Sequence, residues 1–277
     1  MNKLKLHIIL FLFSVAAMLS AQNAPTFISY YGDTGNWELT DTSKPISILM
    51  DENEYSGVQN AILHLQNDIE MVTGKKSVVL NSGNQTIKII VGTYNKNKLI
   101  NKLVGKVDLE GKFEKFIVQL IDNPLEGVDK ALVIAGSDLR GTIYGIYELS
   151  RQMGVSPWYY WADVPVRKSE KIFIKPGKFT AGEPAVKYRG IFLNDEAPAL
   201  SGWSKATFGG FNHLFYEKVF ELILRLKGNF IWPAMWGNAF YDDDPENGPL
   251  ADKMGIVIGT SHHEPMGRAH AEWSKYG

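Results

Sequence analysis

The 277 residues carry 29 basic and 30 acidic side chains, a net charge of −1, and no concentrated basic stripe, which sets nucleic acid aside as a partner. Hydrophobic residues make up 45% and charged residues 21%, the balance of a folded, core-bearing protein rather than a disordered one. Cysteine is absent, so disulfides, thiolate metal sites and a lipid-modified cysteine are all excluded.

Lys3 and Lys5 precede an apolar run from Ile8 to Leu19, and Ser20 and Ala21 supply small residues ahead of Gln22. That layout predicts a secretory signal peptide over residues 1–21, too short for a comfortable membrane span. A periplasmic or secreted mature chain is expected, with no membrane association after cleavage.

Residues 22–180 have the pattern of a small α+β domain. Pro45 to Met50 reads as a strand, and Val58, Ile62, Leu65, Ile69 and Val72 then fall at helical spacing until Gly74 stops the helix. Ser77 to Leu80, Thr86 to Val91, Lys115 to Ile121 and Ala131 to Ala135 are short, β-branched and strand-like. A second helix follows, with Asp138 as N-cap and Leu139, Ile143, Ile146 and Met153 on one face. Gly141 and Gly145, four apart, would let it approach the sheet closely. Trp158 to Trp161 is a run of four aromatics (WYYW) that reads either as a platform for sugar rings or as a wedge in the core. Pro165, Pro176, Gly177, Gly182 and Pro184 mark a domain boundary near residue 180.

From residue 185 the grammar changes. Tyr188 to Leu193, Asn229 to Trp232 and Gly255 to Gly259 are short apolar runs read as strands, and Tyr216 to Lys227, with Val219, Leu222, Ile223 and Leu226 on one face, reads as the helix between the first two. Each run ends in a polar cluster: Asn194, Asp195 and Glu196; Pro233, Met235, Trp236 and Asn238; Ser261, His262, His263 and Glu264. In a parallel βα barrel the loops after the strands open on one face, so the three clusters would share one pocket mouth. A complete (β/α)8 barrel takes about 250 residues. The fold class expected is therefore α/β, a small α+β N-terminal domain followed by the beginning of a (β/α)8 TIM barrel, with about three strands in residues 185–277.

The segments YRGIFLNDEAP (188–198), GNFIWPAMWGN (228–238) and GTSHHEPMGRAHAE (259–272), preceded by GTIYGIYELSRQMGVSPWYYWAD (141–163), closely resemble glycoside hydrolase family 115, the xylan α-1,2-glucuronidases. The resemblance implies an inverting hydrolase that removes glucuronic acid or its 4-O-methyl form from glucuronoxylan or its oligosaccharides. It needs no cofactor. Later barrel strands would bring the second carboxylate of the acid/base pair, so the 277 residues alone are expected to be inactive. A homodimer of the full-length protein is left open.

Inverting hydrolysis needs one carboxyl to protonate the leaving oxygen and another to activate water. Asp195 and Glu196 are the candidates here. Being adjacent, they point to opposite sides of an extended chain, so one faces the pocket, with Asp195 favoured and Glu196 the alternative. A helix cap or a rim salt bridge is the plainer reading of such a pair. Asn194 and Asn238 suit sugar hydroxyls, and Trp232 and Trp236 a pyranose face. His262, His263, Glu264 and Arg268 suit a sugar carboxylate and hydroxyls. A metal site at 262–264 is disfavoured because alternation splits the potential ligands. Glu148 reaches the mouth only if the first domain packs over it; otherwise it is a salt-bridge partner. The acidic run 242–248 lacks the spacing of a calcium loop and reads as solvated, and 197–213 as a mobile lid or an ordinary loop. Two alternatives remain: a non-catalytic carbohydrate-binding module using Trp158, Trp161 and Trp232, and another exo-glycosidase such as a hexosaminidase.

Overall fold

The structure is a computed structural model that describes residues 26–41, 43–83, 87–106, 108–235, 237–260 and 267–276. The predicted signal peptide lies outside these residues. In chain order the elements are β1 (Ile28–Ser29), β2 (Trp37–Glu38), β3 (Ser47–Met50), α1 (Ser56–Thr73), β4 (Val78–Leu80), β5 (Ile87–Thr93), α2 (Lys98–Val104), β6 (Phe116–Leu125), β7 (Val128–Gly136) and α3 (Leu139–Gln152). They continue with β8 (Phe173–Ile174), β9 (Lys178–Ala181), β10 (Gly190–Phe192), α4 (Leu200–Phe208), α5 (His213–Arg225), β11 (Phe230–Trp232), α6 (Phe240–Asp243), α7 (Asn247–Met254), β12 (Val257–Ile258) and α8 (His270–Tyr276).

Six strands form one mixed sheet in the order β4-β3-β5-β7-β6-β9, parallel from β4 to β7 and antiparallel at β6 and β9. Its central strands are apolar on both faces because both are covered. Ile89, Val91, Leu132 and Ile134 face α1 and α3, while Ile90, Val133 and Ala135 belong to a second cluster with Ile100 of α2. The close approach of α3 rests on its glycines. A Cβ on Gly141 would lie 2.4 Å from the Lys115 carbonyl oxygen, and one on Gly145 would lie 2.8 Å from Ile134. Asp138 caps the helix as its sequence implies, its Oδ1 accepting the Gly141 N–H at 2.7 Å.

The second unit begins with three parallel strands in the order β10-β11-β12, with Ile191 opposite Ile231 and Ile231 opposite Ile258. Gly190 is obligatory at the first pairing, since a Cβ there would sit 1.6 Å from the Phe230 carbonyl oxygen. Helix α5 crosses from β10 to β11, so its first turn lies at the end where β10 finishes and its last turn at the end where β11 begins. Its buried face, Phe215, Val219, Phe220 and Ile223, joins the same apolar cluster as Val58, Ile62 and Leu65 of α1 and Ile143 and Ile146 of α3. Leu226, expected on that face, is exposed instead: α5 ends at Arg225 and Leu226 is its C-cap.

Two polar clusters bind the units together. At the strand-start end, the fully buried Glu114 carboxylate accepts hydrogen bonds from Arg140, Arg189 and the Asn229 Nδ2, the last at 2.7 Å. Beside it the Tyr144 hydroxyl donates to the Gly228 carbonyl at 2.9 Å. Replacing Glu114 with Gln leaves both guanidinium groups without their counter-charge and is expected to cost about 2–3 kcal/mol, read as a lower urea midpoint of the full-length protein. A midpoint equal to wild type would remove Glu114 from the account of how the units are held. At the last turn of α5, Arg225 makes a two-pronged pair with Asp68 of α1 (2.9 and 3.0 Å) and donates from Nε to Glu221 at 2.8 Å.

Candidate active site

The C-terminal ends of β10 and β11 place side chains by strand alternation. Ile231 turns into the core shared with the helices, so Trp232 turns the other way, 38% exposed, with its ring edge-on to Phe192 at 5.9 Å. Immediately after β10 the chain dips, and Asp195 is buried at 7% exposure while Asn194 and Glu196 stay exposed. Asp195 Oδ2 accepts the Asn238 side-chain N–H at 2.6 Å and the Gly237 backbone N–H at 3.1 Å. The loop after the second strand therefore fixes the carboxylate that follows the first. Two residues predicted to share a site, 43 positions apart, are in direct contact. Glu196 has a different setting, its Oε1 3.5 Å from the Asn194 Nδ2 at the surface. Of the adjacent pair, Asp195 is the buried acid and Glu196 the exposed one.

Of the other predicted site residues, Arg268 is engaged by Glu272, its Nε donating to Oε2 at 2.5 Å. Trp236, His262, His263 and Glu264 lie outside the described residues. Glu148 is a correction. Its buried carboxylate accepts hydrogen bonds from Arg151, Gln152 and Lys227, the Lys227 Nζ at 2.7 Å. Lys227 follows α5 and precedes β11, so Glu148 lies at the end where the strands start, away from the mouth. It is an ion-pair centre, not a sugar ligand. Burial opposes its ionisation, but the hydrogen bonds from Arg151, Gln152 and Lys227 outweigh burial and hold its carboxyl down at about 2.

Sequence reasoning missed Asp243 and Glu272. The acidic run 242–248 is structured rather than a plain solvated loop. Asp244 Oδ2 accepts both the backbone N–H of His213 (2.9 Å) and a hydrogen bond with its Nδ1 (2.7 Å), anchoring the start of α5. Asp243 accepts the Ala239 N–H at 2.8 Å, and burial, with Asp242, Glu272 and Asp195 nearby, raises its carboxyl above the ordinary range. Glu272 is buried, and its Oε1 has no hydrogen-bond partner among the described residues. Nothing in a run of consecutive acids tells which one takes the Ala239 N–H. The connection 197–213 likewise contains helix α4, closed by Gly209 in the left-handed region (φ 89°). Among the described residues no group of three or more His, Asp or Glu side chains could hold a metal ion.

The model of glycosyl hydrolase family 115 matches residues 181–277, which hold all three parallel strands and Asp195. A solved family GH115 4-O-methyl-α-glucuronidase, described as specific for decorated arabinogalactans, is 37% identical over 83% of this chain with a TM-score of 0.72. The chain belongs to glycosyl hydrolase family 115. It spans 30% of that relative's length. A β-hexosaminidase from Streptomyces plicatus covers 82% of this chain and 42% of its own at 11% identity, with a TM-score of 0.48. No curated protein sequence matches. Asp195 and Trp232 both lie in the matched segment, at the C-terminal ends of consecutive parallel strands.

Proposed function

We propose that the full-length protein is an exported α-glucuronidase that removes α-1,2-linked glucuronic acid, or its 4-O-methyl form, from a decorated polysaccharide by an inverting acid/base mechanism. The observation that carries this reading is Asp195, a buried carboxylate at the first strand end of a family 115 sheet, pinned by Gly237 and Asn238. In this mechanism the carboxylate takes a proton from water as the water oxygen attacks the anomeric carbon. The bond from that carbon to the leaving oxygen breaks as a second carboxylic acid, from another strand end on the same face, protonates it. The two carboxyl groups stand roughly 6.5–9.5 Å apart across the bond, leaving room for the water. Fixing Asp195 with hydrogen bonds from its own scaffold keeps it in place without help from substrate. Trp232 offers its ring to the sugar, and Asn238 is positioned to hold Asp195 rather than to meet a hydroxyl.

The resemblance of the motifs favours xylan as the backbone, while the solved relative favours arabinogalactan. Export rests on the pattern of Lys3, Lys5 and the apolar run 8–19, and fits a polymer too large to enter a cell. Incubating the full-length protein with glucuronoxylan and, in parallel, with glucuronosylated arabinogalactan tests both readings. Release of uronic acid from one polymer assigns the backbone, and release from neither overturns the proposal.

A further inference from the structure

The aromatic run 158–161 is divided between two tasks. The Tyr159 hydroxyl donates to Glu221 at 2.9 Å, and the Trp161 Nε1 donates to the Lys218 carbonyl at 3.2 Å, so the chain leaving α3 climbs α5 from its middle towards its first turn. That first turn lies at the mouth end of the strands. There Trp161 meets Trp203 of α4, ring centroids 5.4 Å apart and tilted by 48°, with Tyr160 edge-on to Trp161 on the other side at 5.5 Å. The two tryptophans and Tyr160, together with Asp163, Ala199 and Leu200, line an open cleft of about 660 Å³. Trp203 is 40% exposed, and Asp163 holds its exposed carboxylate at the rim with its backbone in the left-handed region (φ 49°).

We propose that this cleft is a polysaccharide subsite, in which the Trp161 and Trp203 rings stack on backbone pyranoses and the Asp163 carboxylate accepts hydrogen bonds from their hydroxyls. This rests on the proposed function for its choice of ligand. Three features favour sugar. Flat aromatic faces set at an angle match the apolar C–H faces of pyranose rings, and an acceptor at the rim supplies the polar contact that orients them. The cleft is also close to the reaction. Ala199 stands four positions after Asp195, which limits their Cα separation to about 14 Å, within a few sugar rings. The first domain thus supplies Trp161, Tyr160 and Asp163 to a site whose chemistry lies in the second, and the cleft takes the backbone while the strand ends take the uronic acid.

The test compares the full-length protein with Trp203→Ala and Asp163→Asn on polymeric substrate and on one short glucuronosyl oligosaccharide, using both xylan and arabinogalactan series. The ratio of kcat/KM on polymer to kcat/KM on oligosaccharide should fall roughly two- to tenfold in Trp203→Ala, the scale of one lost ring contact. Trp203→Phe, which keeps an aromatic face and the packing on Phe208 and Phe215, should recover part of it. Ratios equal to wild type in both Trp203→Ala and Asp163→Asn overturn the subsite. If wild type releases no uronic acid at all, the proposed function fails and the cleft is read separately, by migration in native gels cast with each soluble polymer. Retardation of wild type that is weakened in Trp203→Ala then supports the cleft, and equal migration overturns it.

Discussion

Asp195→Asn in the full-length protein is expected to lower kcat for uronic acid release roughly a hundred- to ten-thousandfold, the range for loss of a positioned acid or base. An amide keeps the size of the side chain and an oxygen to accept the Gly237 and Asn238 hydrogen bonds, so the fold should survive the change. What the amide cannot do is take a proton. The pH profile separates this from a packing defect, because wild type should show a limb for the carboxylate that the variant lacks. A variant within a factor of two of wild type, with both limbs intact, would remove Asp195 from the chemistry.

The second large effect is structural. Arg225→Met should destabilise the full-length protein by about 3–5 kcal/mol, because it leaves the Asp68 carboxylate buried without its cation and Glu221 with only Lys218, at 3.5 Å, as its cation. Folded domains are stable by only about 5–15 kcal/mol, so much of the reserve would go, and circular dichroism should show a lower urea midpoint. An unchanged midpoint would mean the buried pair is neutral. Acid should act on the same region. Burial lowers the His64 pKa despite the pull of Glu221, so its unfolded form takes a proton below about 6.5 before the native form does. Burial opposes ionisation of Glu221, yet His64, Arg225 and Lys218 lower its pKa, so the unfolded chain again binds the proton first, as pH falls through the ordinary range for Glu, and the native form only below it. Both signs agree, and stability should fall as pH drops from 7 towards 4. Thermal melts that rise over that window would contradict this account.

How far the fold could be read from sequence depended on whether an element carries its own pattern. Helices α1, α3 and α5 have apolar stripes and polar punctuation, and β3, β5, β7, β10 and β11 are apolar runs between turn residues; all were legible. Helix α4 was not, because only Ser204 of its nine residues is buried and Gly202, Gly209 and Gly210 read as loop. Its hold on the protein is aromatic, through Trp203 and Phe208 against Trp161 and Phe215, and such contacts leave no period. Strands β1, β2 and β8 are two residues each, too short for alternation to show. β9 completes the main sheet from within what reads as a punctuated boundary.

Asp195 could be singled out because it follows an apolar run in a strand-helix-strand pattern, where a βα barrel carries its polar clusters, and alternation already allowed only one of the acids inward. Its contact with Asn238 needed the parallel register of β10 and β11 as well. Glu148 shows the opposite case. A helix pattern tells which face is buried but not which end of a neighbouring helix it meets, and α3 meets the far end of α5, beside Lys227. Asp243 was hidden for a related reason, since one acid among three consecutive ones is indistinguishable until the Ala239 N–H is seen to select it.

Inverting removal of an α-linked glucuronic acid sets the anomer that is released first. Proton NMR during the first minutes of cleavage by the full-length protein reads it directly, on glucuronoxylan and on glucuronosylated arabinogalactan. The account predicts that the free uronic acid appears first as its β-anomer and only later equilibrates with the α form. First appearance of the α-anomer, or no uronic acid from either polymer, would contradict it.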